Sequence, residues 1–128
     1  GEYYTSKKTF LNIIRRNTGV NSSDINVVEG FYESSLTSEL SKRLPKAGII
    51  YIDCDLYSST KNVLDFLRNH ITNGTIIMLD DYYCASKVGH IKGQRHAFEN
   101  FIRSENIYNF EHYKNYSDFG AIFFVNKK

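Results

Sequence analysis

The sequence is poor in the features that mark secreted, membrane or nucleic-acid-binding proteins. It has two cysteines, one proline and no tryptophan in 128 residues, and its charges nearly balance at +2. Cys54 and Cys84 lack metal-site spacing, which favours reduced thiols over a disulfide framework. No apolar run approaches the ~20 residues needed to span a membrane, and no signal peptide is visible. We therefore expect a cytoplasmic globular protein that binds neither nucleic acid nor a membrane.

The most informative pattern in the chain is an apolar strand that ends in acids, and it occurs twice. Residues 48–55 read Gly-Ile-Ile-Tyr-Ile-Asp-Cys-Asp, and residues 74–81 read Gly-Thr-Ile-Ile-Met-Leu-Asp-Asp. A helical pattern from about Ser59 to His70 separates them, so the unit is strand–helix–strand, which makes the two strands parallel and close. The ends of parallel strands meet at one edge of a sheet. We expect three carboxylates to meet there: Asp53, Asp80 and Asp81.

Three carboxylates at one sheet edge repel one another unless a proton or a cation neutralises them. An all-oxygen set suits a hard cation such as Mg²⁺, with Mn²⁺ or Ca²⁺ as alternatives. Acids after strands also serve turns and helix caps, but Ser58, Ser59 and Thr60 are better caps here. Because both strands end in acids, we favour the cation site over the turn.

The rest of the chain predicts further helices and strands around this unit. A connection as short as residues 115–119 makes the last two strands an antiparallel hairpin. The predicted elements are a helix from Thr5 or Ser6 to Asn17, a strand over Asp24–Glu29, a short helix carrying Leu36, Leu40 and Leu44, a polar loop from Cys84 to Lys92, a helix over about Gln94–Arg103, and strands at about 108–114 and 120–125. We expect one domain over residues 1–128, with an outer helix, strand and helix in 1–47 and the acid-tipped strands and hairpin in 48–128.

The element order and three stretches of sequence resemble class I S-adenosylmethionine-dependent methyltransferases, and within them the macrocin O-methyltransferase (TylF-type) family. The stretches are Asp53-Cys-Asp-Leu-Tyr-Ser-Ser-Thr60, Asp80-Asp-Tyr82 and Gly93-Gln-Arg-His-Ala-Phe-Glu-Asn-Phe101, with a looser match at Val27-Val-Glu-Gly-Phe-Tyr-Glu33. The resemblance implies an α/β fold: a partial Rossmann-like sheet, mostly parallel, with a C-terminal antiparallel hairpin.

The resemblance also implies a reaction and a set of site residues. Asp53, Asp80 and Asp81 would bind Mg²⁺, which would hold two neighbouring hydroxyls of a sugar or similar diol, and Asp53 would be the catalytic base. Asp55 is expected to support the loop. The S-adenosylmethionine site would be formed by Gly30, Phe31, Tyr32, Glu33, Asp53 and Cys54. Tyr57 and Tyr82 would line the acceptor site. In place of these roles, residues 30–33 could be a plain turn and the tyrosines could be packing residues.

The chain departs from the family in lacking a glycine-rich donor loop: no G-x-G-x-x-G occurs. The first two strands of the family fold are also missing, which would leave a gap in the sheet. We therefore expect the C-terminal part of a longer methyltransferase, with a folded core from about Gly48 onward. Alone it should be inactive and bind donor weakly at best, and its exposed sheet edge could pair with another copy of the chain.

Three other functions fit parts of the sequence. Asp53-x-Asp55 after an apolar strand is also typical of nucleotide-sugar glycosyltransferases. A phosphatase would use Asp53 as nucleophile and Asp55 as acid, although Tyr57 is a poor match for that class. A non-catalytic assembly fragment with unused acids is the third alternative. Metal binding separates these readings, because only the methyltransferase interpretation requires acids from both strands.

Overall fold

The computed structural model describes residues 5–84 and 93–128, and the chain forms two compact units, one up to Phe31 and one from Tyr32. Apart from Cys84, the predicted polar loop lies outside the described residues. None of the described helices is long and apolar enough to cross a membrane.

In its described residues, the first unit contains one regular helix, α1, over Lys7–Thr18. Ser6 caps it by accepting a hydrogen bond from Thr9 N–H, and Gly19 ends it at φ 72°, a left-handed conformation that glycine adopts without strain. This confirms the predicted helix.

The predicted strand over Asp24–Glu29 is wrong. A short 3₁₀ turn covers Ser22–Asp24, and no strand pairing is assigned to residues 25–29. The apolar pattern favoured a strand, but an extended segment becomes a stable strand only where a neighbour satisfies its backbone groups. The described residues provide no such neighbour for this segment.

The second unit is a four-stranded sheet with helices, in the strand order β1-β2-β4-β3. Its elements are α2 (Tyr32–Ser35), α3 (Ser38–Arg43), β1 (Ile49–Ile52), α4 (Tyr57–Leu67), β2 (Ile76–Leu79), α5 (Gln94–Ser104), β3 (Tyr108–Asn115) and β4 (Ala121–Lys127). β1 and β2 are parallel, as predicted, and the β3–β4 hairpin is antiparallel, as predicted. β2 also pairs antiparallel with β4, so the sheet is mixed, and the prediction of a mostly parallel sheet is wrong. That prediction came from the family resemblance, whereas the described sheet has one parallel and two antiparallel strand pairings.

The core lies on one face of the sheet, against α4 and α5. Alternate residues of β1, β2 and β4 point into it, as the two-residue period of a strand requires. The buried cluster consists of Ile50, Ile52, Leu64, Ile71, Ile77, Leu79, Ala97, Phe98, Phe101, Ala121, Phe123 and Val125. Its first residue along the chain is Ile50, on β1. On β1 the intervening residues stay exposed, Ile49 at 67% and Tyr51 at 53%.

Candidate functional site at the carboxyl ends of β1 and β2

The two acid-tipped strands end level with each other. Ile52 lies opposite Leu79 in the parallel register, and Asp80 N–H donates to the Ile52 carbonyl at 3.1 Å. The residues that follow the two strands therefore leave the sheet side by side. This confirms that the acids of both strands meet at one sheet edge.

Three carboxylates come together at this edge, and we call Asp53, Asp55 and Asp81 the carboxylate cluster. One oxygen from each lies within 4.8 Å of the others. Asp53 and Asp55 are exposed, whereas Asp81 is half-buried. Burial, followed by the hydrogen bond and negative charge of Asp55, raises the pKa of Asp81 to about 6.

The electrostatics of the carboxylate cluster fit a cation. Among the described residues, no ion pair involves any of its three members. Burial, the hydrogen bond with Asp55 and the neighbouring negative charges all raise the pKa of Asp81, so its charged form is disfavoured without a cation. An all-carboxylate donor set suits Mg²⁺ or Mn²⁺ better than a soft metal.

Asp80 differs from its predicted position. The Tyr116 hydroxyl donates to Asp80 Oδ1 at 2.6 Å, and Asp80 is not a member of the carboxylate cluster. Hydrogen bonds from Tyr116 and then Tyr51 lower the pKa of Asp80, because they stabilise its charged form. Asp55 was expected to support the loop, but it is the third member of the carboxylate cluster, the place predicted for Asp80. Which of these carboxylates bind a cation stays a prediction.

Tyr116 was not predicted as a site residue, and Gly120 is the reason that it can reach Asp80. A Cβ built on Gly120 would overlap the Tyr116 ring. Tyr116 N–H also donates to Gly120 O at 3.2 Å, which closes the turn between β3 and β4. The glycine after a turn was visible in the sequence, but nothing local connects Tyr116 with an acid 36 positions away.

Gln94 is a second residue without a predicted role, although the stretch containing it was noted. It is the first residue of α5 and only 1% exposed. Gln94 lies on the same helical face as Ala97, Phe98 and Phe101. This spacing could have predicted that Gln94 is buried and makes hydrogen bonds, since a buried polar residue needs partners.

A groove of about 350 Å³ runs along β1 and reaches the carboxylate cluster at Asp53. Its walls come from α2, the α2–α3 connection, β1 with its flanking residues, and α4. The lining residues are Tyr32, Leu36, Ala47, Ile49, Ile50, Tyr51, Ile52, Asp53, Cys54, Val63, Phe66 and Leu67. We call it the β1 groove; its lining is mostly apolar.

Of the predicted donor-site residues in the second unit, three line the β1 groove and Glu33 is hydrogen-bonded elsewhere. Tyr32, Asp53 and Cys54 line the β1 groove. Glu33 accepts a hydrogen bond from Asn62 Nδ2 at 3.0 Å instead. Burial raises the pKa of the Cys54 thiol, so this thiol stays protonated and is a poor nucleophile.

The other two predicted donor residues, Gly30 and Phe31, belong to the first unit. Gly30 has φ 125°, a conformation that favours glycine, and the Phe31 side chain is 81% exposed. Their role in donor binding stays a prediction.

The two predicted acceptor residues both lie in packed surroundings. Tyr57 starts α4, its hydroxyl accepts a hydrogen bond from Asn100 Nδ2 at 3.3 Å, and its ring lies 5.5 Å from that of His96. Tyr82 packs edge-on against Phe123 at 5.2 Å. Contact with an acceptor stays a prediction for both.

Comparison with known proteins identifies the family. Residues 10–113 match the family model of Macrocin-O-methyltransferase (TylF). The match covers most of the chain. The chain therefore belongs to the TylF macrocin O-methyltransferase family, as its sequence stretches suggested.

A solved structure shares the fold. The structure of the O-methyltransferase NovP superposes with a TM-score of 0.72 at 14% identity, covering 97% of this chain and 46% of that one. This chain thus spans about half the length of NovP and has a partial methyltransferase-like α/β fold. No curated protein matches the sequence.

Proposed function

We propose that this chain belongs to a metal-dependent O-methyltransferase that moves a methyl group from S-adenosylmethionine to a hydroxyl of a sugar or similar diol. One observation carries the proposal: Asp53 is a member of the carboxylate cluster and also lines the β1 groove. The candidate cation site and the apolar groove therefore share a residue, as a reaction between a metal-held hydroxyl and a bound methyl donor would require. Family membership supports the same reaction.

The residues of the carboxylate cluster have distinct tasks in this proposal. Asp53, Asp55 and Asp81 would hold the cation, which supplies acidification of a bound hydroxyl. Asp53 is exposed and would accept the hydroxyl proton. The exposed apolar edge of the β1 groove, at Ile49 and Tyr51, would contact the donor. The donor held in the groove would supply the methyl group, which would pass to the acceptor oxygen as the sulfur–methyl bond breaks.

A calorimetric titration of Mn²⁺ into this chain tests the proposal. Asp53→Asn should lower the affinity by about tenfold or more, since it removes one of three charged ligands. Asp65→Asn is the matched control, because Asp65 is an exposed acid that pairs with Lys61 on α4. S-Adenosylhomocysteine titrated with the cation present then tests the β1 groove, where we expect weak binding by this chain alone. Equal Mn²⁺ binding by both variants, or no binding by the unmodified chain, would contradict the proposed site.

A nucleotide-sugar glycosyltransferase is the second candidate, since both acids of Asp53-x-Asp55 belong to the carboxylate cluster. Asp81 and the family match count against it. Binding of a UDP-sugar with Mn²⁺, in a chain that binds no S-adenosylhomocysteine, would favour the glycosyltransferase.

A further inference from the structure

Gln94 is a buried polar side chain for which the proposed reaction has no task. It starts α5 and shares its inward face with Ala97, Phe98 and Phe101, which are all buried. A buried amide without partners is costly, so its hydrogen bonds indicate what it is for.

The two hydrogen bonds of Gln94 join the ends of the acid-tipped strands. Asp81 N–H donates to Gln94 Oε1 at 2.9 Å, and Gln94 Nε2 donates to the Ile52 carbonyl at 3.0 Å. The partners fix the orientation of the amide, because a backbone N–H needs the oxygen and a carbonyl needs the NH₂ group. Only a side chain with a donor and an acceptor at its tip can make both bonds.

The amide stands where the backbone ladder between β1 and β2 stops. The last backbone bond runs from Asp80 N–H to the Ile52 carbonyl at 3.1 Å, and the same carbonyl accepts from Gln94. The N–H of the next residue, Asp81, donates to the Gln94 side chain. Gln94 thus bridges the ends of the two strands through a side chain, just beyond their last backbone hydrogen bond.

The residue before Gln94 holds the other side of the site. Gly93 forms an antiparallel bridge with Leu56, the residue that follows Asp55. The backbone on both sides of the two β1 acids is therefore attached to the start of α5, at Ile52 through Gln94 and at Leu56 through Gly93.

We propose that Gln94 is a positioning residue that sets the distance between the ends of β1 and β2, and with it the geometry of the carboxylate cluster. The cation that this geometry serves rests on the proposed function. The connection between the strand ends does not, and it can be measured without a metal.

The test compares Gln94→Met with Thr75→Val in this chain. Gln94→Met keeps the length of the side chain and removes both hydrogen bonds. Thr75 is the matched control, because it is also fully buried and bonds to two backbone groups, Ala47 O and Thr72 N–H, near the opposite end of the same strands. Gln94→Asn is the second variant; it keeps the amide but is too short to make both bonds.

Two readouts are taken for each variant: calorimetric affinity for Mn²⁺, and hydrogen exchange of the Asp81 amide followed by NMR. Gln94→Met should bind Mn²⁺ about tenfold more weakly or worse, the usual effect of removing a group that orients metal ligands, and the Asp81 amide should exchange faster. Thr75→Val should change neither, although it destabilises the fold. If Gln94→Met does not fold, Gln94→Asn decides by the same two criteria.

The inference is overturned if the folded Gln94 variant keeps unmodified Mn²⁺ affinity, or if its Asp81 amide exchanges as slowly as before. If the unmodified chain binds no Mn²⁺, the proposed function fails. Hydrogen exchange of the Asp81 amide alone then decides the role of Gln94. Faster exchange in the Gln94 variant supports the positioning role, and unchanged exchange overturns it.

Discussion

The two ends of the β1–β2 strand pair are both held by buried polar side chains, but they differ in charge. Near the amino end, the Thr75 hydroxyl donates to Ala47 O at 2.7 Å and accepts from Thr72 N–H at 3.0 Å. The backbone of Ala47 in turn donates to the carbonyl of His70 at 2.8 Å. At the carboxyl end, Gln94 makes an equivalent pair of bonds, but the carboxylate cluster stands beside it.

The difference indicates which end stabilises the fold and which is arranged for binding. No buried side-chain polar atom among the described residues lacks a hydrogen-bond partner. In the carboxylate cluster three acids without an ion pair among the described residues lie within 4.8 Å of one another, and Asp81 has a raised pKa. Such an arrangement lowers stability, and a ligand of opposite charge would relieve it.

Asp81→Asn should separate binding from stability most strongly. We expect Mn²⁺ affinity to fall about 100-fold, because affinity follows the number of charged ligands. We also expect the metal-free protein to gain about 1 kcal/mol in free energy of unfolding, after allowing for solvent screening of the half-buried group. Calorimetry and thermal unfolding measure the two effects. A variant that binds Mn²⁺ normally, or that is less stable without metal, would contradict the account.

Asp55→Asn and Asp80→Asn distinguish the observed cluster from the predicted one. Asp55→Asn should weaken Mn²⁺ binding about tenfold, whereas Asp80→Asn should change it less than about threefold, since only Asp55 is a member of the cluster. The two variants lose the same charge, so each is the control for the other. The reverse order of effects would restore Asp80 as a ligand.

Cation affinity should decrease as the pH falls through about 6, because burial and the neighbouring acids raise the pKa of Asp81 from 3.8 to about 6. Below that pH a proton competes with the cation, and affinity should drop about tenfold per pH unit. Stability of the metal-free protein should move the other way. The folded chain binds more protons than the unfolded chain between about pH 4 and 6, so this group adds stability as the pH falls. Mn²⁺ titrations from pH 5 to 8 measure the affinity; no change over that range would contradict the assignment of Asp81.

Thr75→Val should affect stability alone. The variant leaves Ala47 O and Thr72 N–H without their side-chain partner, so we expect a loss of about 1–3 kcal/mol in free energy of unfolding. Denaturant unfolding measures this loss, and Mn²⁺ affinity should stay within about twofold. A large loss of Mn²⁺ affinity would show that the two ends are not independent.

Much of the fold could be predicted because its determinants are local in sequence. The apolar runs of β1 and β2, the Ser6 cap and the short connection before β4 each specify an element through neighbouring residues. The strand predicted over Asp24–Glu29 failed because strand formation depends on a partner that no local pattern can supply.

The sequence could predict at which sheet edge the candidate site lies, but not which carboxylates form it. Parallel pairing places the acids of both strands together, whatever their side-chain orientations. Asp55 joins Asp81 in the carboxylate cluster, whereas Asp80 accepts a hydrogen bond from Tyr116, which comes from a distant hairpin. Gln94 likewise acts through partners in two other elements, Ile52 and Asp81.

The most direct test of the central claim is to locate bound Mn²⁺ by the paramagnetic broadening of backbone amide signals in NMR. With Mn²⁺ well below one equivalent, the account predicts that the amides of Asp53, Asp55 and Asp81 lose intensity first, while those near Thr75 and Ala47 lose it later. Broadening that starts at the amino end, or that spreads evenly over the surface acids, would contradict a cation site at the carboxyl ends of β1 and β2.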